Sequence, residues 1–238
     1  MCGRFSLATP VEILGAEYGF ANRPALPPRY NITPTQDVAA VRVEGGRRCL
    51  VMLRWGLVPA GAADPKIGSR MINARAETLL TKAAFCEPFL KRRCLVLADG
   101  YYEWEGPARQ PYRFVHRDGG TLAFAALWQY WRGPGGTGSD APLQSVTIIT
   151  VPAGTVLPPP GEAGRGWRAP THDRMPAILG RDAVDRWLDP GTAVSLLQAD
   201  LTPASGLLTA MAVSSFVNAT AHEGIACLAA APQQGSLL

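Results

Sequence analysis

The sequence predicts an α+β fold with a mostly antiparallel sheet, on three observations. Its middle is a series of short apolar runs bounded by turn residues, from "DVAAVRVE" through "CLVLADGYYEW" to "SVTIITV". Helical periodicity is confined to the flanks of these runs. The regular strand–helix alternation that a parallel doubly wound sheet requires is missing. With 238 residues, 47% hydrophobic and 18% charged, the composition is that of a folded globular chain. Intrinsic disorder would need less apolar content and more net charge. No repeat or linker divides the chain, so one domain is expected over residues 1–230, with 231–238 as a disordered tail.

The elements follow in order. In "TPVEILGAEYGF", Thr9 can cap a helix, Pro10 suits its first position and Glu12 completes a capping box. "ANRPALPPRYNITPTQ" holds four prolines, which exclude a regular helix and predict an extended surface segment. "DVAAVRVE" and "RCLVMLRW" read as strands around the turn "GGR". A helix is expected to begin near Ala76, with "AETLLTKAAF" as its body, and "CEPFLKRR" reads as another short helix. "CLVLADGYYEW" gives a strand, a glycine turn and an aromatic strand; "PYRFVHR", "TLAFAALWQYW" and "SVTIITV" are further strands. "GPGGTGSDAP" is a glycine-rich loop, and "PAGTVLPPPGEAGRGWRAP" is a long Pro/Gly loop of the length that is often functional. "RDAVDRWLD" and "TAVSLLQA" are helices, and "LLTAMAVSS" is a late strand.

Composition also excludes chemistries. Cys2, Cys49, Cys86, Cys94 and Cys227 are odd in number and widely spaced, without a C-x-x-C pair, which argues against a zinc ribbon and for a reducing compartment. Cys49 and Cys94 read as small core hydrophobes on strands. Neither a P-loop nor a nucleophile elbow occurs, and no metal constellation is present, so no cofactor or metal is expected. No apolar run approaches the roughly 20 residues of a membrane helix, and the start lacks the apolar core of a signal peptide. A cytoplasmic protein without membrane contact, monomeric by default, is expected; in a bacterium it would associate with the nucleoid. The net charge of +4, with an isoelectric point near 8.9, permits an anionic partner without demonstrating one.

Four segments concentrate polar groups in apolar surroundings: "MCGRF", "MINARAET", "ADGYYEW" and "THDRMP". If Met1 is removed, Cys2 carries an α-amine and a thiol on adjacent carbons, a pair that reacts with an aldehyde as no internal cysteine can. Glu103 lies between Tyr102 and Trp104 and on a strand points alone to one face. An interior face makes it a proton donor near neutrality; an exterior one makes it a surface carboxylate. His172, one of three histidines, is an acid/base group before a strand or a solvated loop residue. Asn73 and Arg75 share a face of an extended segment, which suits a phosphate or sugar, unless the amide caps the next helix. Trp55 and Trp104 are core aromatics or platforms for bases.

These segments, in this order, resemble the SRAP family, named for "SOS-response-associated peptidase". The resemblance rests on "MCGRF", "RYNITPTQ", "RWGLVP", "INARAET", "RRCLVLADGYYEW", "SVTIIT", "HDRMPAIL", "WLDP" and "AVSSFVN" with "HEG" behind it, and covers most of the chain. It implies a barrel-like β-core with peripheral helices and covalent capture of abasic sites in single-stranded DNA. It carries Cys2 over as the nucleophile, Glu103 as the acid/base, Asn73 as the positioning amide and His172 as the histidine. Arg4, Arg75 and Arg174 become phosphate contacts, Asn31 and Pro34 line the groove, and Trp55 and Trp104 stack on bases. A thiol peptidase, acting on its own N-terminus or on proteins, is the alternative activity. The chain departs from the pattern after "WGLVP", where Ala60 and Gly61 stand near the place of a usual tryptophan, and in the long loop before His172.

Overall fold

The computed structural model describes residues 2–134, 141–158 and 173–232. In chain order the elements are β1 (Phe5–Leu7), α1 (Val11–Tyr18), β2 (Arg29–Ile32), β3 (Asp37–Glu44), β4 (Arg47–Trp55), β5 (Asn73–Arg75), α2 (Ala83–Lys91), β6 (Arg93–Ala98), β7 (Gly100–Glu105), β8 (Gln110–His116), β9 (Leu122–Trp131), β10 (Leu143–Pro152), β11 (Arg174–Pro176), α3 (Arg181–Leu188), α4 (Val194–Asp200) and β12 (Leu208–Ala212).

The β3–β4 hairpin turns at Gly45 and Gly46, both at positive φ (55° and 77°), as a tight two-residue turn requires. The pairing starts at Glu44 opposite Arg47 and runs back to Asp37 opposite Arg54. β3 also pairs with β6, β6 with β9 and β9 with β10, all antiparallel. β10 closes the ring by pairing in parallel with β4 at Ser145 and Val146. The result is a closed five-stranded barrel. Beyond the closure, β10 continues between β5 on one edge and β11 on the other. A second, antiparallel sheet runs β12–β8–β7–β1–β2.

The two units share one core. Phe5 of β1 lies 5.1 Å from Trp55 of β4 and 5.9 Å from Phe124 of β9. Tyr101 of β7 meets the same Phe124 at 6.2 Å and stacks on Phe114 at 4.8 Å. Helices lie outside, with Trp187 of α3 donating its indole N–H to Cys94 O at 3.0 Å.

Four local expectations are corrected. The helix expected over "AETLLTKAAF" is a 3-10 turn at Ala76–Thr78, and α2 starts only at Ala83 and absorbs "CEPFLK", with Pro88 inside it. Thr78 and Thr81 explain the break: their hydroxyls donate to Arg75 O and Thr78 O, bonds that compete with helix propagation. At α1, Pro10 is the N-cap and no capping box forms, because Thr9 gives its hydroxyl to Asp99 Oδ1 at 2.6 Å. The proline-rich segment is not all surface: it contains β2, where Asn31 and Ile32 are buried. Cys94 is a core residue, whereas Cys49 is only half-buried. The tail from 233, residues 135–140 of the glycine-rich loop and most of the Pro/Gly loop lie outside the described residues. No helix of the described residues is long and apolar enough to cross a membrane.

Candidate active site and nucleic-acid interface

Antiparallel pairing of β1 with β7 sets Phe5 opposite Tyr101, and Tyr102 N donates to Arg4 O at 2.9 Å. Continuing that register carries Cys2 alongside the segment that holds Glu103. Gly100 makes the close approach of β7 to β8 possible, since a Cβ there would sit 2.6 Å from Phe114 O. Alternation along β7 turns Glu103 to the same face as the core residue Tyr101, and it is only 7% exposed. Cys2 is fully buried and belongs to the same core. Burial pushes its thiol above the ordinary range, and the neighbouring Glu103 charge pushes it further, while a backbone hydrogen bond with Arg4 opposes them. The thiol is therefore held protonated at neutral pH.

Asn73 reaches the same point from β5. Its Nδ2 donates to Cys2 O at 2.8 Å, and its buried Oδ1 has no partner among the described residues. β5 is held in place from behind. Trp55 is buried at the end of β4 and gives its indole N–H to Ile72 O at 2.9 Å, directly before Asn73. The chain leaves Trp55 through Gly56, at φ 123°, where a Cβ would lie 2.4 Å from Gly68 O. Leu57 N then donates to Met71 O, folding the 56–72 loop back onto the start of β5. The "RWGLVP" segment is thus the support of Asn73.

Among the DNA contacts expected, three lie in the interior of this structure. Trp55 has no exposed face to stack on a base; its ring fills the core and its N–H holds the backbone. Asn31, 1% exposed, accepts from Arg4 and donates Nδ2 to the carbonyls of Val217, Ala219 and His222, so its amide is spent inside the fold. Arg4, 8% exposed, gives Nη1 to Asn31 Oδ1 at 2.7 Å and Val217 O at 2.8 Å rather than presenting a free guanidinium to solvent. Arg75 is exposed on β5, and Pro34 is half-buried in the loop after β2. Arg174, on β11, makes a two-pronged pair with Glu77 at 2.7 and 2.9 Å, and this bond holds the Glu77 carboxyl below its usual range. Trp104 is half-buried and donates Nε1 to Asn218 Oδ1 at 2.6 Å. His172 lies outside the described residues. No group of three or more His, Cys, Asp or Glu side chains among the described residues is placed to hold a metal ion.

The family model for SOS response associated peptidase (SRAP) matches residues 1–220. The chain belongs to the SRAP family. Among its SRAP-type relatives, Abasic site processing protein YoaM of Bacillus subtilis (strain 168) is 37% identical, over 92% of this chain and 93% of the relative. Abasic site processing protein HMCES of Mus musculus is 32% identical, over 97% of this chain and 76% of the relative. A solved protein from Bacteroides thetaiotaomicron superposes with a TM-score of 0.81 at 21% identity, covering 97% of this chain and 100% of that one, and so shares the fold.

The motif reading missed the supporting roles of Trp55 and Asn31. A signal was available for Trp55, whose place before a glycine at the end of an apolar strand suits a side chain turned into the core. None was available for Asn31, whose three carbonyl partners lie at separations of 186 to 191 residues.

Proposed function

We propose that this protein captures abasic sites in single-stranded DNA by a thiazolidine formed from Cys2, after removal of Met1. The names of the relatives support the substrate, and the convergence of Asn73 and Glu103 on Cys2 is the observation that carries the chemistry. An abasic deoxyribose opens to an aldehyde at C1′. A free α-amine, with an ordinary pKa of about 7.7–8.0, has a neutral fraction at pH 7 that a lysine near 10.4 lacks. The amine attacks C1′ and loses water to form an imine. The thiol sulfur then adds to the imine carbon, and its proton passes to the nitrogen, closing the five-membered ring.

A protonated thiol fits the second place in this order. It does not compete for the aldehyde, and it brings the proton that the imine nitrogen needs. An ordinary thiol peptidase needs the opposite, a depressed pKa and a ready thiolate. Glu103 donates a proton to the sugar ring oxygen, and His172 assists at the same oxygen. Asn73 fixes the Cys2 carbonyl and offers Oδ1 to the amine or the sugar hydroxyl. Holding the reacting groups together makes the condensation effectively unimolecular. None of these steps calls for a cofactor. Ring closure removes the imine, which would otherwise promote strand cleavage; weak lyase activity is the leakage expected before closure, and borohydride traps it. Gly3 lets the chain approach the sugar without a Cβ. Arg75, Arg174, Pro34 and Trp104 contact the strand, and an unpaired strand is favoured because the sugar must be reached outside a stacked duplex.

The test is intact mass after incubation with a single-stranded oligonucleotide bearing one abasic site, beside an undamaged control. A heat-stable adduct on a chain lacking Met1 is expected, absent in Cys2→Ala and slowed at least about tenfold in Asn73→Ala. A processed chain that forms no adduct would falsify the proposal.

A further inference from the structure

The segment after β12 carries aromatic groups that the capture chemistry does not use, and the turn between β7 and β8 sets a guanidinium, Arg109, near them. Phe216 is 37% exposed and stacks on His222, with ring centroids 4.0 Å apart and planes within 16°. The stack is locked, since His222 Nδ1 and Phe216 O are 2.7 Å apart. Asn218 joins it to Trp104, accepting the indole N–H at 2.6 Å and donating to Arg109 O at 3.3 Å. Arg109 is held at φ 51°, a conformation uncommon outside glycine, with its guanidinium carbon 6.0 Å from the Trp104 ring centroid. The patch is continuous with the candidate site through Arg4, two residues from Cys2, which binds Val217 O and lies 5.2 Å from Trp104. Glu223, the carboxylate beside His222, is engaged by Arg29 and by the backbone of Tyr30 and Gly224.

We infer that Phe216, His222, Trp104 and Arg109 form a second contact surface, a platform on which nucleotides flanking the lesion stack their bases and place a phosphate. This rests on the capture of abasic single strands proposed above. The chemistry selects the partner. Exposed π faces are sequence-tolerant stacking sites for unpaired bases, and a guanidinium beside them suits the backbone. Paired bases offer no free face to such a surface. The parts are fixed before any strand arrives, so little ordering is required on binding.

The experiment uses the processed full chain and two substrates. One is a long undamaged single-stranded oligonucleotide, read by fluorescence anisotropy. The other is an abasic oligonucleotide trimmed to the lesion and its immediate neighbours, read by adduct formation. Phe216→Ala is expected to weaken binding of the long strand about tenfold, with Phe216→Trp restoring it, and to leave the adduct rate on the trimmed substrate unchanged. Arg109→Ala is expected to lower the salt slope of long-strand binding by about 0.7. Unchanged long-strand affinity in both variants overturns the platform, as does equal weakening on the corresponding duplex. Equal loss on the trimmed substrate overturns it too, since that marks a general defect. If the wild-type chain forms no adduct on any abasic strand, the capture reading fails, while the undamaged-strand comparison still decides the platform.

Discussion

At Cys2, burial and the nearby Glu103 charge raise the thiol above its ordinary value of 9.0, and burial does the same to Cys94. A group whose pKa is raised by folding binds its proton more tightly in the folded state. Its contribution to stability is complete below the unfolded value and is lost as pH rises toward the folded one. The unfolding temperature is therefore expected to fall from about pH 9 upward, and Cys2→Ala with Cys94→Ala flattens that decline. Thermal melts at stepped pH check it; an unchanged slope in the double variant sinks the assignment. Cys2, Asn73 and Glu103 were legible because each is a polar group inside an otherwise apolar or aromatic motif. Trp55, Asn31 and Arg4 were legible as members of motifs, but their buried partners inside the fold were not. A motif marks a residue that matters, and it does not say whether the polar atom meets a substrate or a distant backbone carbonyl.

β5 is the element that turns the fold into a site. It is three residues long, pairs with β10, and presents Asn73 to Cys2. So short a strand has no readable alternation of its own, and the same holds for β11. The long hairpin β3–β4 and β9 declared themselves because apolar runs bounded by turn residues extend over eight or more residues there. The helix expected from Ala76 failed for the reverse reason: apolar spacing was satisfied, but threonine hydroxyls diverted the backbone. Trp55→Phe tests the dependence of β5 on its support. The Ile72 carbonyl keeps its bond from Ile148 N at 3.1 Å, so the loss of stability is modest, about 1–2 kcal/mol by denaturant midpoint. The adduct rate is expected to fall with Asn73 loosened, while affinity for undamaged single strands stays unchanged. A tenfold loss of affinity instead, the size expected of a stacking residue, would return Trp55 to the DNA surface.

Across the whole molecule, one buried amide joins the start of the chain to the segment after β12 at several points. Asn31 accepts from Arg4, two residues after Cys2, and donates to three carbonyls of the segment that carries Phe216 and His222. Those carbonyls lie 186 to 191 residues away, so the tie closes most of the chain into one loop. Removing the side chain leaves Ala219 O without this donor and weakens the hold on His222 O. Asn31→Ala is expected to lose about 2–3 kcal/mol, because four hydrogen bonds of about 0.5–1.5 kcal/mol each are removed together while each carbonyl keeps another donor. The loss should be local in space. Amide exchange is expected to rise across residues 213–230 and at β1, while the barrel strands β3, β4, β6 and β9 stay protected. Asn31→Asp separates the two halves of the tie. It keeps an acceptor for Arg4 but faces a carboxylate toward the three carbonyls, so β1 stays protected while 213–230 opens. If exchange instead rises evenly over both sheets, the amide is one contact among many in a uniform core, and the flanking platform owes its position to something else.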